Sequence, residues 1–328
     1  MKRDGSNESI WQQSVPDFPQ QGNIDTEIIY DVVIAGAGIT GITTGFLLGK
    51  AGKKVLIAEA ANIGFGTTGG TTAHLNNFFD SSYDQVISDF GLDNAKLFAE
   101  AGKEAMQFIK DQIDTYHIDC DYEAKTGFLF AVEEKQVKML EDLVEASHKV
   151  NVAIDYVGDS PFTIQALKTA SIPGQAQFSP LKYVTALANE FVANGGTILD
   201  GCRVEGVEEG DVHLIKTTQG FIKAHNLVYA THVPPGVNIL HFRNAPYRSY
   251  AIAVKLKDGE YPQALGYDLF DPYHYYRSQK VGDEEYLIAG GEDHKTGHID
   301  NTDQCFRNLE AHVLKHFGAN EVIYKWSS

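Results

Sequence analysis

The 328-residue chain has only three cysteines, Cys120, Cys202 and Cys305, and none lies in a Cys-x-x-Cys pair. An odd, scattered set argues against a disulfide framework and a structural zinc ribbon; reduced packing thiols in a cytoplasm are expected instead. No apolar run is long enough to span a bilayer. Met1 to Ser9 is polar and lacks the apolar stretch of a secretory signal. Basic residues are scarce: 27 Lys and Arg stand against 44 Asp and Glu, for a net charge of −17, and the acid is spread along the chain. Such a surface repels phosphate backbones and anionic lipid, so neither nucleic acid nor a membrane is an expected partner. There is no internal repeat, no Ser–His–Asp signature and no paired-carboxylate signature. His294 and His298 are four apart, but Gly297 breaks the helical spacing of a metal pair, and no metal is expected. What the chain does have is 43% hydrophobic residues over a length that suits two domains.

Met1 to Thr26 reads as a leader that Trp11 and Phe18 can pin down. Ile28 to Ala35 reads as a buried strand. Ile39 to Ala51 reads as a helix with Ile39, Ile42, Phe46 and Leu47 on one face, and Val55 to Ala58 as the next strand. Helical spacing returns from Ser81, with Phe98, Ala101, Ala105, Phe108, Ile109 and Tyr116 inward. Ser179-Pro180 opens another helix, a cap residue followed by proline at the first helical position. Pro234-Pro235-Gly236 marks a boundary. Beyond it, Tyr250, Ile252, Val254 and Leu256 alternate with their neighbours as in a half-buried antiparallel strand. Thr302 caps a last helix with Phe306, Leu309, Val313 and Phe317 inward. The expected architecture is α/β: a discontinuous Rossmann-like dinucleotide domain with an inserted α+β substrate domain built on an antiparallel sheet. Its expected parts are a leader, 1–26; a nucleotide domain, 27–80 with 175–240 and 285–328; and a substrate domain, 81–174 with 241–284.

The motif that carries chemistry is Gly36-Ala37-Gly38-Ile39-Thr40-Gly41. A six-residue match alone is weak. Here it follows a strand and opens a helix, which is the context that gives it meaning. The first glycine permits the tight turn, the second lets backbone approach a pyrophosphate, and the third lets helix and strand pack closely. The helix N-terminus offers N–H groups and a positive dipole end to phosphates. Glu59 ends the second strand about 20 residues on, where an acid accepts hydrogen bonds from ribose hydroxyls. A second match, Gly64-Phe65-Gly66-Thr67-Thr68-Gly69, is followed by Gly70 and by no amphipathic helix. It reads as a hydroxyl-rich loop running to His74.

These segments resemble the D-amino-acid oxidase-like (DAO) FAD-dependent oxidoreductases. The likeness lies in residues 31–41, in Glu59-Ala60 and in Gly66-Thr67-Thr68-Gly69-Gly70-Thr71-Thr72-Ala73. Further on, residues 175–183 resemble the return to the FAD domain. Leu227 to His232 resembles the family's alanine–threonine–glycine segment, with His232 in place of glycine. The nearest subgroup carries a C-terminal Rieske domain, although this chain has no Cys-x-His pair. The resemblance implies FAD as cofactor. It implies that Gly36, Ala37, Gly38, Ile39, Thr40 and Gly41 serve the pyrophosphate, and that Glu59 and Ala60 serve the adenosine ribose. It gives Gly66, Thr67, Thr68, Thr71, Thr72 and Ala73 the flavin side, Val204 a backbone approach to adenine, and Ala230 and Thr231 the cover. It also implies that the chain stops before the last FAD-contacting segment.

The implied reaction is oxidation of a C–N bond in a small amine or amino acid by hydride transfer to flavin. Two alternatives stay open: an NAD-dependent dehydrogenase using the same fingerprint, and a truncated, non-catalytic fragment. Candidate residues on the substrate side are Tyr250, Tyr276 and Arg277, with Arg248. Each has a plain structural reading as packing aromatic or solvated arginine. The expected partner is a small-molecule substrate; the sequence names no electron acceptor.

Overall fold

The structure is a computed structural model that describes residues 7–19, 24–77, 81–233 and 246–328. In chain order its elements are α1 (Ile10–Ser14), β1 (Ile29–Ala35), α2 (Ile39–Lys50), β2 (Val55–Ala58), α3 (Thr67–Gly70), β3 (His74–Leu75), α4 (Tyr83–Phe90), α5 (Leu92–Tyr116), β4 (Glu123–Ala131), α6 (Glu134–Lys149) and β5 (Asp155–Val157). They continue with β6 (Lys168–Gln177), α7 (Pro180–Ala193), β7 (Thr197–Leu199), β8 (Val204–Glu208), β9 (His213–Thr217), β10 (Gly220–Tyr229), β11 (Tyr247–Leu256), β12 (Leu265–Asp268), β13 (Tyr275–Val281), β14 (Glu284–Lys295), α8 (Asp303–Phe317) and β15 (Ala319–Ser327). Two compact units share them. The first comprises Met1–Thr71, Ser179–Ala245 and Ser328; the second comprises Thr72–Phe178 and Pro246–Ser327.

The first unit is built on a six-stranded sheet in the order β7-β2-β1-β10-β9-β8. β7, β2, β1 and β10 run parallel, and β9 and β8 add antiparallel hairpins. Parallel strands covered on both faces need apolar residues throughout, and Val33, Ile34, Leu56 and Ile57 are all fully buried. α2 lies close on β2: a Cβ on Gly45 would come within 2.7 Å of Ile57. Ile42 and Phe46 are the buried face of α2, whereas Leu47, expected beside them, is 46% exposed.

The second unit holds a sheet in the order β15-β11-β14-β13-β12-β4-β6-β3, with β5 also pairing to β6. Its pairings are antiparallel except β12 with β4. Strand alternation sends Leu129, Leu265 and Tyr267 into one core with α4, α5 and α6. It sends Phe130, Tyr276 and Leu287 into another, under α8.

Three expectations are corrected by these pairings. Residues 285–327, expected in the dinucleotide unit, belong to the second unit, because β14 and β15 flank β11 and extend the antiparallel sheet. A strand bonded on both edges fixes its unit whatever its neighbours in sequence do. The loop from Gly64 to His74 contains a helical turn, α3. The buried stripe of α5 is Ala95, Ala99, Gln112 and Ile113, and Phe98 is 39% exposed, since small alanines allow the close helix approach that a phenylalanine row would block. The boundary expected at Pro234-Pro235-Gly236 lies outside the described residues.

Candidate functional site

In the first unit, the glycine turn links β1 to α2. Gly36 has φ +105°, which a side chain rarely tolerates, and a Cβ there would stand 2.6 Å from the Ala230 carbonyl oxygen. A Cβ on Gly41 would stand 1.8 Å from the Gly36 carbonyl oxygen. Ala230 is tied in by its own N–H, which donates to the Ala35 carbonyl at 2.8 Å. At Gly38, the N-cap of α2, a Cβ would meet only the Thr68 side chain, at 3.0 Å. Gly38, as N-cap, has no side chain to cap the helix and the first turn has no acid; Thr68 Oγ1 takes the Ile39 N–H, and the positive end of α2 still favours an anion.

Glu59 faces the same turn. Its Oε2 accepts the Ala37 N–H at 2.7 Å and its Oε1 accepts the Ala61 N–H at 2.8 Å. Each oxygen keeps a lone pair for a further donor. The loop before β8 is stitched here too: Cys202 N–H donates to the Glu59 carbonyl at 2.7 Å, and Gly201 N–H to the Ala61 carbonyl at 3.1 Å. Val204 follows this loop directly. Asp200, in the same loop, has its pKa pushed up to about 6 by burial and by the charges of Glu59 and Asp17.

The threonine segment is held from two sides. Thr68 Oγ1 accepts the Ile39 N–H at 3.0 Å. α1 braces the rest: Trp11 Nε1 donates to the Thr71 carbonyl at 2.7 Å, Ser9 Oγ to the Gly69 carbonyl, and Gln12 Nε2 to the Phe65 carbonyl at 3.4 Å. Within the segment read as a leader, α1 is thus a packed strut, with Trp11 1% exposed. Its Ser-x-x-Gln capping box, Ser9 with Gln12, was a legible helix signal that the sequence reading passed over.

Thr72 and Ala73 open the second unit. Ala73 is held at φ +58°, an uncommon conformation for a residue with a Cβ. Its carbonyl accepts from Arg277 Nη1 at 2.8 Å, and those of Thr72 and Phe178 accept from the same nitrogen at 3.0 and 3.2 Å. Arg277 is fully buried and bonds Gln279 as well; burial draws its pKa down to about 9. Next on the chain, His74 Nδ1 lies 2.9 Å from the Tyr267 hydroxyl, to which Asn76 Nδ2 donates at 2.8 Å. Burial first, and then the Arg277 charge, hold the His74 pKa well below the ordinary range, so the ring is neutral. Its Nε2 is buried without a hydrogen-bond partner. His74, Asn76 and Tyr267 form a polar group that neither spacing nor motif singled out.

The candidate substrate-side residues are placed otherwise than expected. Tyr250, 1% exposed, lies under α8 with its hydroxyl 2.9 Å from His294 Nε2. Tyr276, fully buried, bonds Asp268 at 3.0 Å and His312 at 2.6 Å. Arg277 is spent on backbone carbonyls. Arg248 reaches Ser327 Oγ at 3.4 Å. Odd and even positions of β13 point to opposite faces, so Tyr276 and Arg277 never belonged to one cluster. His232 stands at φ +66°, the left-handed conformation that explains why glycine suits its position in the family.

The model of the DAO family, described as FAD dependent oxidoreductase, matches residues 31–328. The chain belongs to this family. It is 31% identical over 326 residues to YhfW of Bacillus subtilis (strain 168), which is named as a Rieske 2Fe-2S iron-sulfur protein; the match covers 98% of this chain and 63% of that one. It is 25% identical to gamma-glutamylputrescine oxidoreductase of Escherichia coli (strain K12), covering 68% of this chain and 53% of that one. The chain therefore spans between half and two-thirds of these curated relatives. Among solved structures, glycine oxidase from Geobacillus kaustophilus superposes with a TM-score of 0.71 at 18% identity, covering 91% of this chain and 82% of that one. L-proline dehydrogenase from P. horikoshii gives 0.69 at 18% identity, with 92% and 81% covered. These two share the fold.

The family's cofactor is FAD, and the first unit fits it. The fit lies in the glycine turn that any Cβ at Gly36 or Gly41 would block, the acid-free first turn of α2 and the doubly anchored Glu59. Among the described residues, no helix is long and apolar enough to cross a membrane.

Proposed function

We propose that this chain binds FAD and oxidises a C–N bond of a small amine or amino acid. In this reading Gly36, Ala37, Gly38, Ile39, Thr40 and Gly41 hold the pyrophosphate through backbone N–H groups at the α2 N-terminus. Glu59 and Ala60 take the adenosine ribose, and Val204 meets the adenine through its backbone. Gly66, Thr67, Thr68, Thr71, Thr72 and Ala73 line the flavin side, with Ala230 and Thr231. The observation that carries the reading is Glu59: two amides fix its carboxylate beside the glycine turn that opens α2, as a ribose and a pyrophosphate in sequence require.

FAD, when bound, supplies the hydride acceptor, and the protein positions and tunes it. The reading draws its substrate class from relatives named for glycine, L-proline and gamma-glutamylputrescine. An amine must be unprotonated to give up hydride from its carbon. In the second unit His74 is a buried imidazole beside Tyr267 and Asn76, kept neutral by burial and by the Arg277 charge.

The test is a visible spectrum of the purified chain, identification of the nucleotide released on denaturation, and anaerobic titration with a panel of amines and amino acids. A flavin spectrum that bleaches with one of them supports the reading. A colourless protein that takes up no added FAD sinks it. NADH binding without flavin would favour the dehydrogenase alternative, and a yellow protein that no amine reduces would leave a cofactor-binding chain without this reaction.

A further inference from the structure

On the α8 side of the second unit's sheet lies a polar cluster that flavin chemistry does not use. Asp268 ends β12, His274 precedes β13, and His312 comes from the third turn of α8. Their nearest ligand atoms all lie within 4.8 Å of one another. Asp268 Oδ2 stands 2.9 Å from His274 Nδ1 and 3.6 Å from His312 Nε2. Four ligands held tetrahedrally at about 2.0–2.1 Å from a zinc ion stand about 3.4 Å apart, and the two spacings bracket that value; the His274 and His312 rings stack at 3.8 Å with 18° between planes, so one ring must turn for both nitrogens to face one ion.

We infer that Asp268, His274 and His312 form a binding site for a divalent transition metal of the zinc class. Two imidazole nitrogens with one carboxylate select such an ion over magnesium or calcium, which prefer oxygen shells. The Tyr276 hydroxyl, 3.0 Å from Asp268 Oδ2 and 2.6 Å from His312 Nε2, stands where a fourth ligand or a hydrogen bond to one belongs.

The second observation is what the remaining atoms of two of these ligands do. Asp268 Oδ1 accepts the His274 N–H at 2.7 Å and the Phe270 N–H at 3.3 Å, which turns Oδ2 to the cluster. His274 Nε2 meets Glu292 Oε1 at 3.4 Å, and Glu292 Oε2 accepts from Asn308 at 2.9 Å. A ligand histidine whose other nitrogen donates to a carboxylate is the usual outer arrangement of a metal site. The backbone is shaped around the ring as well. A Cβ on Gly291 would come within 2.7 Å of His274, and Glu292 is held at φ +60° to make its contact. Phe270 packs on both His274 and His312, Phe162 and Phe317 pack on Tyr276, and His316 lies against His312. On binding, the ion replaces the proton shared by His274 Nδ1 and Asp268 Oδ2, and this proton leaves to solvent. No oxidation or reduction is involved. The ion would pin α8 to the β12–β13 hairpin.

The test uses the full chain, stripped with chelator and titrated with zinc by calorimetry and with cobalt by absorption. Expected are stoichiometric binding, tetrahedral cobalt bands and a raised thermal midpoint. Glu292→Gln, which leaves the three ligands in place, should weaken binding by about tenfold or more, and His312→Gln should abolish it. His298→Gln, an exposed histidine outside the cluster, should bind as the parent does. Absence of binding and of cobalt bands in the parent chain overturns the inference, and so does parental affinity in both cluster variants. The parent measurement decides the matter even if His312→Gln does not fold.

Discussion

Arg277→Met separates a structural arginine from a substrate anchor. The guanidinium donates to the carbonyls of Thr72, Ala73 and Phe178, and all these contacts lie inside the second unit. Methionine fills similar volume and donates nothing. Removing this donor from the two buried carbonyls, those of Ala73 and Phe178, costs about 1–3 kcal/mol each, or roughly 2–6 kcal/mol. Relief from burying a cation offsets part of that, and a net loss of about 3–4 kcal/mol is expected. An exposed arginine kept for substrate would cost under about 0.5 kcal/mol on replacement. The assay is urea unfolding followed by the fluorescence of Trp326, which is 1% exposed in the second unit, with Trp11→Phe in both proteins to silence the other indole. Arg277→Lys keeps the charge but not the fork, and should fall between. The reasoning is refuted if Arg277→Met unfolds within about 0.5 kcal/mol of its parent. Unchanged stability with a raised KM would return Arg277 to the substrate side.

Gly41→Ala places a Cβ 1.8 Å from the Gly36 carbonyl oxygen, so the turn must open; flavin content after purification should fall by at least about tenfold, and normal content would show that the turn is not the cradle. Asp200 has a folded pKa of about 6, above its unfolded value of about 4, so it opposes folding when ionised. Its stabilising share is complete below about pH 4 and is lost as pH rises through 6. Asp200→Asn should therefore be more stable than the parent at pH 7 and equal to it near pH 4 in thermal melts; a constant difference across that range would contradict the assignment. His232→Gly relieves a left-handed residue worth about 1–2 kcal/mol, less the roughly 0.5–1 kcal/mol of glycine's extra freedom. A small gain in midpoint is expected, and a clear loss would mean that the imidazole makes a contact worth more than the strain.

The sequence by itself determined β1, α2 and β2, the glycine turn between them, Glu59 at its register, and the Ser179-Pro180 start of α7. Each is a local fact: a period, a cap, or a backbone position that admits only glycine. It also showed that a strand alternates from Tyr250 to Leu256. It did not show which face would meet α8, because alternation names two faces and ranks neither. Only the tertiary structure decided that β14 and β15 extend the antiparallel sheet, since strand pairing is settled by partners far away in the chain. The same holds for the site. Arg277 read as a candidate for substrate until its guanidinium was seen among three carbonyls supplied by residues 72, 73 and 178. Trp11 read as a pin for the N-terminal segment, and it is one; what the structure adds is that the pin holds the Thr71 carbonyl of the threonine segment. His74 and Tyr267 lie far apart in sequence, as do Asp268 and His312, and no spacing rule joins them. Their chemistry exists only where strands from distant parts of the chain hold those side chains a few ångströms apart.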